Sequence, residues 1–286
     1  MCLYYNYKLN YNKDKEQKKI LIQEVYNLPY KKFVFEVPFD TNQSREIYLK
    51  AKFDFRESEA LDEWMFEVKN VVTFFSKNDS DVIFFQKNRL YSDSLMEYWL
   101  LHIVFPIYFT LTDTYYFLHT GSVEIENRAV LFMGDSFAGK STLTDYFLKQ
   151  KHPLVTDDKL PTFYEEETFY CVNSHPYHRP YRKLEDLGIK AKNVSQGKLA
   201  IGNIYWLHPV AEDAEVSIKE IKGLKKFECL RYATEMDIYV HKKKRFEYIT
   251  KLANTLHIYE INVPRKLERL EEVYTAIVKH TQNGEL

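Results

Sequence analysis

Gly134, Asp135, Ser136, Phe137, Ala138, Gly139, Lys140 and Ser141 spell G-x-x-x-x-G-K-S, and this spacing carries the plainest chemistry in the chain. Two glycines placed this way let the backbone wrap, so that successive N–H groups converge on the phosphate oxygens of a nucleotide. Lys140 then reaches the β- and γ-phosphates and Ser141 is placed to ligate Mg²⁺. Thr142 follows on a helix whose positive N-terminal end faces the same anion. The setting fits: residues 129–133 form an apolar strand before the loop, and Leu143, Tyr146 and Phe147 continue an amphipathic helix after it. With only 8 glycines in 286 residues, the pattern is not a by-product of glycine-rich composition.

A second group of candidates follows. Residues 154–156 read as a strand that ends in Asp157 and Asp158, where an acid holding Mg²⁺ belongs beside a phosphate loop. Side chains on a strand point alternately, so one acid faces the metal and the other the acceptor, unless the strand has already ended and both converge. Residues 173–182 mix histidines, prolines and arginines without periodicity, as loops over active sites do. Arg179 and Arg182 there either steady phosphate charge or are solvated loop cations. His175 and His178 lack the companions of a metal site and read as local hydrogen-bonding groups.

The elements that must position these residues suggest an α/β chain in two parts. Residues 3–11, 31–39, 45–55, 64–75 and 81–87 are rich in aromatic and β-branched residues and partly alternate, which predicts a mainly antiparallel N-terminal lobe over residues 1–91. Polar stretches at 40–44 and 77–81 read as its turns. Residues 92–286 form the second part. It opens with a helix from about Leu95 to Phe109, capped by Ser92 or Ser94 and kinked or ended at Pro106. Residues 115–119 and 122–126 follow as strands, with Asn127-Arg128 as a hairpin turn, so the nucleotide strand gains an antiparallel neighbour. Residues 159–172 read as a hairpin about Glu165, Glu166 and Glu167, and 199–209 and 215–221 as strands of a sheet edge. Helices are expected over 224–234, 245–256 and 267–280, the last with Leu267, Leu270, Val273, Tyr274 and Ile277 on one face, and a strand over 257–263. The basic run 241–245 reads as a solvated helix start.

A net charge of −1 supplies no field to gather nucleic acid or anionic lipid. Residues 98–109 are apolar but too short to span a bilayer and contain His102 and Pro106, so they read as a buried helix. Cys2, Cys171 and Cys229 have neither disulfide nor zinc spacing, and a reducing cytoplasm is the natural setting.

His119-Thr120-Gly121, Val123-Glu124-Ile125, the phosphate loop, residues 154–159 (LVTDDK) and residues 256–280 together resemble the HPr kinase/phosphorylase-like family of P-loop serine kinases. The match covers the C-terminal two thirds in order; residues 1–91 correspond only to a variable N-terminal lobe. The resemblance implies a kinase domain of the HPr kinase and phosphoenolpyruvate carboxykinase type with a mixed sheet, using ATP and Mg²⁺. It implies that Lys140 neutralises the transferred phosphoryl group and Ser141 and Asp157 hold Mg²⁺. Asp158 would orient or deprotonate a serine hydroxyl, with His119 beside it to tune it. Phe137 stands where HPr kinases carry glycine, and neither their R-G-x-G-type segment nor their further metal-binding glutamate has a counterpart here. The chain is thus more similar to divergent HPr-kinase-like proteins of bacterial gene clusters, including those that phosphorylate the C-terminal serine of lasso-peptide precursors. The expectation is an ATP-dependent serine kinase acting on a peptide or small protein. Its rivals are a kinase of a small hydroxyl-bearing metabolite and a nucleotide-binding switch that transfers nothing. Relatives are often oligomers, so the resemblance implies self-assembly as well.

Overall fold

A computed structural model describes residues 3–5, 20–28, 33, 35–38, 45–52, 63–77, 80–181, 183–234 and 240–283. The strand expected over 3–11 is therefore described only to Tyr5, and the turn at 40–44 and Arg182 lie outside the described residues. The architecture is mixed α/β: a curled mixed sheet flanked by helices, and a separate smaller unit rich in β-structure.

The smaller unit comprises Met1–Tyr115, Lys183–Leu187 and Met236–Lys242. Its strands are β1 (Leu3–Tyr5), β2 (Ile20–Glu24), β3 (Phe35–Pro38), β4 (Ile47–Ala51), β5 (Glu63–Val68), β6 (Val72–Lys77) and β7 (Val82–Lys87). They form one sheet in the order β1-β2-β7-β6-β5-β4-β3, antiparallel except for the parallel pair β2/β7. Strand β2 escaped the reading of composition, which had no place for it between the flanking polar runs. Then come α1 (Asp93–Trp99), a π-helical turn (Leu100–Val104) and α2 (Phe105–Leu111), a continuous helix of 19 residues. Ser92 caps it, its hydroxyl accepting from the Leu95 N–H. Pro106 neither ends nor interrupts it: the Phe105 N–H bonds to Leu100 O, and this wider turn makes room for a ring that would otherwise collide with a carbonyl of the preceding turn. By length and composition the helix could cross a bilayer, which residues 98–109 alone could not. Every residue from Tyr98 to Leu111 is buried, Trp99 meeting Phe66 of β5, and this accounts for its apolar character. The 91/92 boundary expected from composition lies inside this unit, ahead of the helix.

The larger unit comprises Tyr116–Arg182, Gly188–Glu235 and Lys243–Leu286. Its strands are β8 (Tyr116–His119), β9 (Gly121–Ile125), β10 (Arg128–Met133), β11 (Leu154–Thr156), β12 (Lys159–Glu165), β13 (Thr168–Val172), β14 (Tyr177–His178), β15 (Ile189–Lys190), β16 (Lys198–Val210), β17 (Ile218–Ile221) and β18 (Ile258–Pro264). Its helices are α3 (Lys140–Lys149), α4 (Leu224–Ala233), α5 (Lys242–Thr255) and α6 (Leu270–Asn283). The main sheet runs β11-β9-β10-β16-β13-β12-β8, with β18 on β16 and β17 on β18. Thus β16 is central, with β10 along one edge and β13 then β18 along the other; of the two strands expected at a sheet edge, only β17 lies there. Alternation cannot tell a central strand from an edge strand when both faces are covered. Both are covered here. Ala129, Leu131 and Met133 of β10 pack with Leu230 and Leu252 from α4 and α5, while Val130 and Phe132 pack with Phe147 of α3 and Ile277 of α6. The β9/β10 hairpin turns on Glu126 and Asn127, at φ +50° and +60°, one residue earlier than expected.

Candidate active site

The curl of the sheet assembles the site. Strands β8 and β9 are separated only by Thr120, and β11 and β12 only by Asp157-Asp158, yet β9/β11 and β8/β12 lie at opposite ends of the strand order. The two bent ribbons stay paired through the bend, where the Thr120 N–H donates to Asp158 O at 2.9 Å. Both acids and His119 therefore sit at one corner. Gly121 brings α3 to that corner, because a Cβ there would lie 2.2 Å from Thr144 Oγ1 and 3.4 Å from Lys140 O. Glycine is needed for this approach of α3 to β9, a requirement that the sequence signals only by the rarity of glycine. Gly121→Ala is expected to destabilise the unit by about 1–3 kcal/mol and to weaken nucleotide binding, since Thr144 must rotate off its bond to Lys140 O or α3 must lift. Thermal melting of the single variant and of Gly121→Ala/Thr144→Ala checks this: the double variant, which removes the colliding oxygen, should recover most of the loss.

The loop itself joins β10 to α3 as the sequence requires. Gly134 and Gly139 take φ +148° and +97°, and the Ala138 N–H closes a turn onto Asp135 O. Asp135, Ser136 and Phe137 are exposed, Phe137 by 99%. Phe137 also holds φ +66°, a region unfavourable for a bulky side chain and relaxed for glycine. Lys140 turns back over the loop, its Nζ donating to Gly134 O at 2.8 Å and Asp135 O at 3.1 Å. Ser141 and Thr142 lie in the first turn of α3 and are partly buried.

Strand β11 ends at Thr156, so both acids follow it; they share Arg179 through different atoms, and each has a further neighbour of its own. Asp157 lies beside Ser141, and its Oδ2 accepts the Arg179 N–H at 2.6 Å while Oδ1 is buried without a hydrogen bond. Asp158 meets His119 Nδ1 through Oδ1 at 3.2 Å and Arg179 Nη2 through Oδ2 at 2.8 Å. Burial pushes the Asp157 carboxyl up from 3.8 to about 6, with the Arg179 N–H and Ser141 pulling it partly back. Because this folded-state pKa exceeds the unfolded one, stability is greatest below about pH 4 for this group and falls as pH rises through about 6. Asp157→Asn should accordingly stabilise the unit at about pH 7.5 by about 2–3 kcal/mol, and by much less near pH 4.5, as paired thermal melts would show.

Among the described residues no three His, Cys, Asp or Glu side chains cluster to hold a metal. A Mg²⁺ ion needs no such cage, since it keeps waters and is held by one or two protein oxygens plus substrate phosphates. The unpartnered Oδ1 of Asp157 beside Ser141 is an oxygen pair of that kind. Of the loop residues, Arg179 reaches both acids, which its sequence setting left undecided. His175 makes the local contact expected, its Nδ1 accepting from the Tyr177 N–H at 3.4 Å. His178 is buried, which lowers its pKa, and lies 3.8 Å from Asp145 on α3.

No family model and no curated protein matches this chain. Among solved structures, the HPr(Ser) kinase/phosphatase of Coxiella burnetii is similar at a TM-score of 0.34 and 14% identity, over 58% of this chain and 89% of that one.

Proposed function

We propose that the larger unit is an ATP- and Mg²⁺-dependent kinase that transfers the γ-phosphoryl group to a serine hydroxyl of a peptide or small protein. The observation that carries this reading is the division of labour between the two acids: Asp157 beside the phosphate-loop Ser141, and Asp158 beside His119 and Arg179. A module that only binds nucleotide needs the first acid and gives no reason for the second. The loop N–H groups and Lys140 bind the phosphates of ATP. Ser141 and Asp157 would hold Mg²⁺, which would supply positive charge against the phosphates of the nucleotide. Asp158 orients the acceptor hydroxyl and takes its proton as the serine oxygen bonds to phosphorus and the bond to ADP breaks. His119 steadies Asp158 through Nδ1. A serine in a peptide, rather than a metabolite hydroxyl, follows the resemblance of residues 119–159 to HPr-kinase-like proteins, as does the finer assignment to a P-loop kinase fold of that type.

The test is incubation with γ-labelled ATP, Mg²⁺ and a lysate of the host, followed by separation of the products. Label on phosphoserine of a discrete peptide or protein is the expected result. Label confined to a small molecule or to free phosphate contradicts the acceptor class or the transfer itself.

A further inference from the structure

Arg179 is held more firmly than a solvated loop cation. Its guanidinium lies on Asp158 with the side chain 10% exposed, and its main-chain N–H is fixed by Asp157. The two-stranded ladder β14/β15 brackets it, pairing Tyr177 with Lys190 and His178 with Ile189. Gly188 closes the bracket at φ +88°: a Cβ there would stand 2.4 Å from His178 O and 2.6 Å from Arg179 Cγ. The backbone of Arg179 is thus pinned beside the acid that meets Ser141, while its side chain covers the acid that meets His119.

This arrangement conflicts with the role of Asp158 unless the guanidinium moves. Asp158 Oδ2 accepts from the permanently charged guanidinium at 2.8 Å and Oδ1 lies 3.2 Å from His119 Nδ1, so the oxygen that would receive an acceptor hydroxyl is already covered by Arg179. A transferring phosphoryl group offers more negative charge and a matching face for the same planar fork. We infer that Arg179 is a phosphoryl-binding residue parked on Asp158, and that it passes from Asp158 to the γ-phosphoryl group when ATP occupies the loop, freeing the base as it stabilises the charge in transfer. This inference rests on the kinase reading of the site. Its backbone anchor on Asp157 stays in place, so only the side chain swings.

The experiment is an equilibrium titration that needs no acceptor. Wild type, Arg179→Gln and Arg179→Lys are titrated with Mg²⁺-ADP, alone and with fluoroaluminate as a mimic of the transferring phosphoryl group. Fluoroaluminate should tighten wild-type binding by at least about 30-fold. Arg179→Gln should keep its Mg²⁺-ADP affinity within about threefold yet lose at least about tenfold of that tightening, with Lys between, because charge returns without the fork. Should the Gln variant fail to fold with the buried Asp158 deprived of its guanidinium, Gly188→Ala carries the test, since it displaces Arg179 with every reacting side chain retained. Its expected result is the same selective loss of tightening. Equal tightening in wild type and variants overturns the inference, as does a parallel loss of Mg²⁺-ADP affinity, which marks a structural role. Absence of Mg²⁺-ADP binding by wild type overturns the kinase reading and this inference with it.

Discussion

Replacing Lys140 with alanine is expected to lower phosphoryl transfer by at least about a thousandfold, because a fixed cation at the transferring group is among the largest electrostatic contributions in such sites. The fold should survive. Lys140 is partly exposed and its Nζ holds two carbonyl oxygens of its own loop, so removing those bonds costs about 1 kcal/mol or less each. Comparing near-ultraviolet circular dichroism and initial rates of the two proteins checks both halves, and full activity in a folded Lys140→Ala variant removes the loop from the reaction.

The second large effect belongs to Asp158. Asp158→Asn preserves the shape of the side chain and an oxygen for Arg179, but the amide cannot take a proton. Turnover should therefore fall by about 10²–10⁴-fold while the affinity for Mg²⁺-ATP stays within about threefold. Some loss of stability accompanies it, since the nearly buried Arg179 guanidinium loses its charged partner Asp158. Should Asp158→Asn instead abolish the Mg²⁺ dependence of nucleotide binding, the roles of the two acids are exchanged. Asp157→Asn gives the opposite signature: higher stability at neutral pH, with the Mg²⁺ dependence of binding gone. The pair of variants thus separates metal holding from proton transfer within one dipeptide.

How much of this could be read from the residues depends on the range of the interaction. The strand before residues 134–139 and the helix after them are set by local pattern, and both fall where the sequence places them. The strand that stops at Thr156, just ahead of the two acids, is also local. Which way each acid points is not, because the answer depends on the bend shared with Thr120, two ribbons pairing across the sheet. The Arg179 contacts are longer still in range, depending on Gly188 and on the β14/β15 ladder. Gly121 shows the same limit: nothing near it in sequence predicts that Thr144 will press against it. The apolar run near Pro106 is the buried helix it was read as, but it does not end there. Proline normally breaks a helix, but a single π turn absorbs it, and 19 residues continue as one element. Composition likewise placed a boundary at Tyr91, where strands give way to a helix, whereas compactness follows packing and keeps that helix with the strands.

The measurement that bears most directly on the site is calorimetric titration of the wild-type protein with ATP, in Mg²⁺ and again with the metal chelated. Saturable binding at one site, weakened by chelation in wild type and insensitive to it in Asp157→Asn, is the expected result. No saturable binding in either condition, or binding unchanged in Lys140→Ala, contradicts a nucleotide site at residues 134–142.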